Sequence, residues 1–430
     1  MPRIAAAQES GSIGFIRDAE IESAIRLFIT PVFTAAGLDP AAVHIYLVND
    51  PRINSFVAGG QNIFINTGLI QRSQTPNQII GVLAHETGHI AGGHLARSQE
   101  ELRNDTIKGI IAMVLGAGAT AMAHGAGPAG GLIGGAAVAQ RSFLSYSIEQ
   151  EARADQAALR FLDATHQSAR GLLQFFRILE GEELLSPERQ DPYLRTHPLT
   201  SQRIDYVADW VAHSRYSNVP DKPEFIEMHR RMVAKLNGFL DPPSKTLAQY
   251  KATDTSVAAR YARAIAYYRI PDLPHALPLI DGLIAQEPKN PYFEEMKGQM
   301  LFENGKVEEA LAPYEAAVKL APDQPLLHIE LAQVQIETGR PALNQSALAN
   351  LKDAVRFESR NAEAWHFLAV AYGRAGDFGM ASLAGAEGAM AEGDKQLALQ
   401  QASRAIQLLK PGTPGRLRAE DLKQIAQRKD

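Results

Sequence analysis

Between Thr255 and Gly393 the same residue types return at a fixed step. Pro288 and Pro322 stand 34 residues apart, as do Ala276 and Ala310, Ile280 and Tyr314, and Gly305 and Gly339. A period of that length is too long for one helix or strand, so the repeating unit is a pair of helices, with small residues where they cross and proline at the end. One pair cannot bury its apolar face alone, and the pairs must stack in sequence order. The next step carries three extra residues around Pro341, so Ala310 is answered by Ala347, after which Trp365, Leu368, Ala369, Tyr372, Gly376 and Ala381 resume the register. The spacing predicts about four units, closed by a capping helix over 396–409.

A step of 34 with these residue types is the tetratricopeptide pattern. Ahead of it, Asp241-Pro242-Pro243 interrupts helix and marks a junction. The expected domains are therefore 1–245 and an all-helical repeat domain, 246–430. With 43 Lys+Arg against 48 Asp+Glu, the net charge of −5 offers no electrostatic grip on nucleic acid. The absence of cysteine removes thiol nucleophiles, zinc–thiolate sites and disulfides.

The first domain mixes helix and strand. Asp18 begins a helical pattern that runs to Gly37, and Val43–Val48 reads as a strand. Ser55-Phe56-Val57 and Asn62–Asn66 form a hairpin through Gly59-Gly60-Gln61. Thr75-Pro76-Asn77-Gln78 is a capping box with proline at the first helical position, so a helix starts there. That helix carries His85-Glu86-Thr87-Gly88-His89.

On a helix, positions i and i+4 share a face, so His85 and His89 can reach one zinc ion while Glu86, one step round, is placed to act as the base of hydrolysis. Zinc needs a third protein ligand. A histidine at position 95 would extend the motif, but that residue is Leu95; His94 falls about half a turn away and reads as a packing residue or one that supports a ligand from behind. The better source lies downstream, in Ser147-Ile148-Glu149-Gln150-Glu151-Ala152-Arg153-Ala154-Asp155. Glu151 and Asp155 are four apart, so one carboxylate can take the metal while the other accepts the outer N–H of a ligating histidine. Glu149 rivals Glu151 on spacing alone.

These motifs resemble the prenyl-protein-protease type of zinc metallopeptidase, and within it the soluble periplasmic BepA-type members that carry tetratricopeptide repeats. The likeness covers nearly the whole chain, including Asn54-Ser55-Phe56 and Gly68-Leu69-Ile70. It implies an α+β, mainly helical zincin-like domain with a small sheet. It also implies His85, His89 and Glu151 as zinc ligands, Glu86 as the base and Asp155 as the carboxylate behind a ligand. Ile148 stands where the family pattern has arginine. Thr196-His197-Pro198 with Arg203 resembles the family's His-Pro…Arg segment, which makes His197 and Arg203 candidate catalytic residues beside Glu86. Pro198 holds His197 extended, from where it could donate to a developing oxyanion or occupy the open zinc position.

The expected activity is zinc-dependent endoproteolysis of misfolded or stalled envelope proteins, with repeats that hold unfolded or outer-membrane clients or the outer-membrane assembly machinery. The rival expectation is a chaperone or scaffold whose zinc site is silent or structural. The resemblance and the cleavage-like Ala5-Ala6-Ala7 ahead of Gln8 place the mature protein in the periplasm, its leader truncated or missing. Residues 109–123 carry no charge, and Gly/Ala-rich sequence continues to 139. Those fifteen uncharged residues are too short for a span, and the 109–139 stretch is expected to pack beside the site or to touch a membrane surface.

Overall fold

The computed structural model of the chain describes residues 14–93, 148–180 and 191–428. Ala5–Ala7, His94 and the 109–139 stretch lie outside the described residues. Among the described residues, no helix is long and apolar enough to cross a membrane. The expected fold class holds: a mainly helical first unit with one small sheet, then an all-helical array.

The first compact unit runs to Ile265 and the second starts at Ala266. In the first, helix α1 (Ala19–Ala35) is capped by Asp18, whose carboxylate accepts from the Ile21 N–H at 2.8 Å. It buries Ile21, Ile25, Phe28 and Val32 against the core. The sheet contains β1 (Phe15–Ile16), β2 (His44–Val48), β3 (Ser55–Ala58) and β4 (Asn62–Asn66), in the order β1-β2-β4-β3. The hairpin of β3 and β4 turns on Gly59 and Gly60, both at positive φ, which glycine adopts without steric cost. Strand β2 pairs parallel with β4, which leaves β3 at one edge.

After the short α2 (Thr67–Arg72) comes α3 (Pro76–Ala91), in which every residue from Pro76 to His89 is buried. Thr75 Oγ1 accepts from Gln78 N–H at 3.3 Å, and the Gln78 side chain reaches back to the N–H of Gln74 at 2.8 Å. Two faces of α3 take close neighbours at glycines. A Cβ on Gly81 would meet backbone of Leu172 at 2.7 Å, in α5 (Arg170–Glu180), and one on Gly88 would meet the Ala154 carbonyl at 2.6 Å, in α4 (Ile148–Ala164). The core around them draws on α1, the sheet and α3 to α5, and on α6 (Pro192–Thr196), α7 (Ser201–His213) and α8 (Pro223–Leu240).

Helix α8 stops where the Asp241-Pro242-Pro243 junction predicts, and α9 (Pro243–Gln249) follows. The first unit nevertheless continues. Glu20, almost fully buried, accepts from Arg231 Nε at 2.8 Å and from the Tyr261 hydroxyl at 2.9 Å, and Ile265 packs over Gly238. Tyr261 and Ile265 belong to α10 (Val257–Arg269).

The second unit is a run of helix pairs: α11 (Leu273–Gln286), α12 (Pro291–Glu303), α13 (Val307–Leu320), α14 (Pro325–Glu337), α15 (Pro341–Phe357), α16 (Ala362–Arg374) and α17 (Phe378–Glu392). Gly305, Gly339 and Gly376 turn the chain at positive φ, and Ala276, Ala310 and Ala347 are fully buried. The three extra residues of the irregular step lengthen one helix: α15 has 17 residues where α13 has 14. The expected capping helix is α18 (Lys395–Leu408), and a further helix, α19 (Pro414–Gln427), packs Ala419 and Leu422 with Leu383 and Ala402.

Candidate metal centre

Helix α3 presents His85, Glu86 and His89, all fully buried, and α4 brings Glu151 and Asp155 to the same place. Gly88 makes this approach feasible, because it lets the α4 backbone lie against α3 between the two histidines. His197 arrives from the end of α6, a short helix tied down at several points. Asp191 accepts from Ile53 N–H at 3.0 Å and from Arg72 Nη1 at 2.9 Å, and the His197 N–H donates to the Tyr193 carbonyl at 2.7 Å.

His85, His89, Glu151 and His197 each offer one ligand atom, and the four atoms lie within 4.8 Å of one another. The two imidazole Nε2 atoms are 3.1 Å apart. Glu151 Oε1 stands 3.1 Å from His89 Nε2 and 3.1 Å from His197 Nδ1. His85 Nδ1 donates to Asp155 Oδ1 at 2.8 Å, which leaves a lone pair on Nε2 of the neutral ring. Inward-facing imidazole lone pairs beside a carboxylate suit a cation, so these donors fit a metal ion such as zinc.

Arg203, expected beside the site, reaches both carboxylates. It donates to Asp155 through Nε at 2.6 Å and Nη2 at 2.9 Å, and its Nη1 lies 2.7 Å from Glu151 Oε2. Its guanidinium also sits 5.0 Å from the Phe176 ring centroid. Burial would raise both carboxyls, but the His197 and His85 rings hold Glu151 well below the usual range, and Arg203 with His85 holds Asp155 down. Against the same burial, Glu151 and Asp155 lift His85 to about 9, so a proton and a cation compete for its Nε2 and binding the cation releases the proton. Burial drives His89 down to about 3 and pushes Glu86 up.

Glu149 points elsewhere: its side chain is three-quarters exposed and pairs with Arg153 one turn on at 2.5 Å. Two neighbours were not read as site residues from the sequence. Tyr193, four residues before His197, stacks on that ring at 4.5 Å and 23°, and the Ser55 carbonyl lies 3.1 Å from His197 Nε2. Only the i,i+4 spacing of Tyr193 and His197 on one short helix connects the first pair in the sequence, and nothing local connects the second.

The packing at Gly88 yields a prediction whose sign is diagnostic. Alanine in place of glycine inside a helix ordinarily stabilises by about 0.5–1 kcal/mol. Gly88→Ala is expected instead to destabilise by roughly 1–3 kcal/mol through overpacking on the α4 backbone, and to lower metal content. Thermal melts and metal analysis check both.

The chain matches peptidase family M48 over residues 16–211 and a TPR repeat over residues 298–339. It is 24% identical over 413 residues to the beta-barrel assembly-enhancing protease of Escherichia coli K12, covering 94% of this chain and 83% of that one. A protein of the same name from Yersinia pestis is 25% identical over 305 residues, 70% of this chain but only 62% of the relative's length. The metalloprotease LoiP of E. coli K12 is 28% identical over 215 residues, 47% of this chain and 77% of that one.

Proposed function

Because the chain joins a peptidase family M48 domain to TPR repeats, we propose that it is a zinc-dependent endopeptidase of the periplasm that cleaves misfolded or stalled envelope proteins. The observation that carries this reading is the buried group of His85, His89, Glu151 and His197 with the Glu86 carboxylate beside it, both of whose oxygens lack a hydrogen-bond partner among the described residues. A structural metal has no use for that carboxylate, whereas hydrolysis needs a base.

His85, His89 and Glu151 would hold the ion. Zinc, when bound, supplies a Lewis acid that makes water nucleophilic near neutral pH and polarises a peptide carbonyl. Asp155 fixes the His85 tautomer, and Arg203 balances the charge of Asp155 and Glu151. Glu86 takes a proton from the attacking water on a carboxylate oxygen and returns it to the leaving amine. His197 either donates to the reacting carbonyl or fills the remaining ligand position when no substrate is present. An extended substrate segment would add to the edge strand β3, whose Ser55 lies against His197, and backbone pairing there tolerates many sequences. The TPR repeats would hold the client or an assembly partner, in keeping with relatives named for β-barrel assembly.

The second reading is a chaperone or scaffold built on the same repeats. Incubation with an unfolded outer-membrane β-barrel chain, followed by mass spectrometry, separates the two. Fragments cut within the client are expected; a client kept intact and refoldable would favour the chaperone. We also propose that the peptidase domain, assigned to 1–245, works on small peptides without the repeats. A chain ended at Lys245 gives up the Tyr261–Glu20 bond and the Ile265 packing at Gly238. It is therefore expected to melt below a chain ended at Arg269, with both keeping peptide hydrolysis and losing client cleavage. Loss of all peptide hydrolysis from the longer truncation would make the repeats part of the catalytic fold.

A further inference from the structure

Among the buried polar atoms that lack a hydrogen-bond partner are both Glu86 oxygens, Ser55 Oγ and the Tyr193 hydroxyl. Each belongs to a residue that touches His197: Glu86 Oε1 stands 3.6 Å from its Nε2, the Ser55 carbonyl 3.1 Å from the same nitrogen, and the Tyr193 ring stacks on it. The Tyr193 hydroxyl calls for an explanation, because a phenylalanine would fill the same space without burying an unpaired donor. The ring is held rigidly. His197 lies against one face, the Phe175 ring meets it edge-on at 5.2 Å and 88°, and the side chain is 1% exposed. A phenol keeps its proton at neutral pH, so the hydroxyl is available as a donor. His197 Nε2, by contrast, already lies 3.1 Å from the Ser55 carbonyl and would have to leave that contact before it could donate to a substrate.

We propose that Tyr193 is a catalytic residue whose hydroxyl donates a hydrogen bond to the oxyanion that forms at the scissile carbonyl, an assignment that rests on the hydrolytic reading above. As water adds, its oxygen bonds to the carbonyl carbon, one of its protons passes to Glu86, and the C=O π pair moves onto the carbonyl oxygen. Tyr193 stabilises that oxygen without giving up its proton. A fixed donor aimed at charge that develops only in the transition state raises kcat and leaves ground-state binding alone. Ser55 Oγ lies at the end of edge strand β3 and is the natural partner for the substrate backbone beside it.

The test compares full-length parent and Tyr193→Phe by kcat and KM on a quenched fluorescent peptide, by Kd for a phosphinic peptide of the same sequence, and by zinc content and Tm. The phosphinic group copies the tetrahedral oxyanion. The expected result is a kcat lower by roughly 10²-fold, KM within about twofold and phosphinic affinity reduced by a comparable factor, with zinc content unchanged and Tm unchanged or higher. Unchanged kcat and unchanged phosphinic affinity would overturn the assignment. So would loss of zinc or a lower Tm, since the hydroxyl would then support the fold. If the parent cleaves no peptide, the hydrolytic reading fails by itself, and the phosphinic comparison still decides whether the hydroxyl meets a tetrahedral anion.

Discussion

Glu86→Gln is expected to lower kcat for peptide hydrolysis by a factor on the order of 10²–10⁴ while the chain keeps its metal ion. The amide has nearly the volume of the carboxyl but cannot accept the proton of water. It is not among the four residues whose ligand atoms gather, so metal content is expected to match the parent. Stability is expected to hold or rise, because both Glu86 oxygens are buried without a hydrogen-bond partner among the described residues and the substitution removes a charge that burial already disfavours. Turnover, metal analysis and a thermal melt on one preparation read all three. A variant that lost activity together with its metal would show Glu86 to be part of the ligand set.

Glu151→Ala has the largest expected effect on the centre itself. The carboxylate contacts His89 and His197 at 3.1 Å each and Arg203 at 2.7 Å, all in a site closed to solvent. Its removal takes away a proposed ligand and leaves part of the Arg203 charge unbalanced, and breaking a buried ion pair in this way typically costs about 3–5 kcal/mol. Metal content and hydrolysis are both expected to fall to background. Glu151→Gln keeps the volume and separates the ligand effect from a packing effect: it too is expected to lose metal. Glu149→Ala removes only an exposed pair with Arg153, worth about 0.3–0.5 kcal/mol, and is expected to change neither metal content nor turnover. The opposite outcome, with Glu149→Ala inactive and Glu151→Ala intact, would reassign the third ligand.

What could be read ahead of the structure was whatever a helix or a repeat writes locally. The α3 start is encoded in Thr75, Pro76 and Gln78, and the shared face of His85 and His89 follows from helical pitch alone. The repeats were equally legible, since each Gly and Pro acts within its own unit, and even the three-residue irregularity resolved into a longer α15. Non-local pairing was not legible. The hairpin of β3 and β4 was apparent, but the parallel pairing of β2 with β4, which makes β3 an edge, joins segments whose registers carry no mutual signal. The choice between Glu149 and Glu151 came from family resemblance. Its physical basis is which face of α4 lies against Gly88, a contact made by Ala154, 66 positions away in the chain. Tyr193 was missed for the same reason, since its role depends on a ring stack and an unpaired hydroxyl inside the folded centre. Asp241-Pro242-Pro243 did end a helix, but continued packing through Ile265 depends on Glu20 and Gly238, far away in sequence.

The claim on which the rest depends is that these residues hold a zinc ion used for hydrolysis. The most direct measurement is hydrolysis of an unfolded protein by the chain as purified, after chelation, and after zinc is returned, with the metal counted at each stage. The account predicts that cleavage stops as the zinc leaves and returns as the chain regains one ion. Cleavage that persists in the metal-free chain, or a zinc-loaded chain that cuts nothing, would contradict it.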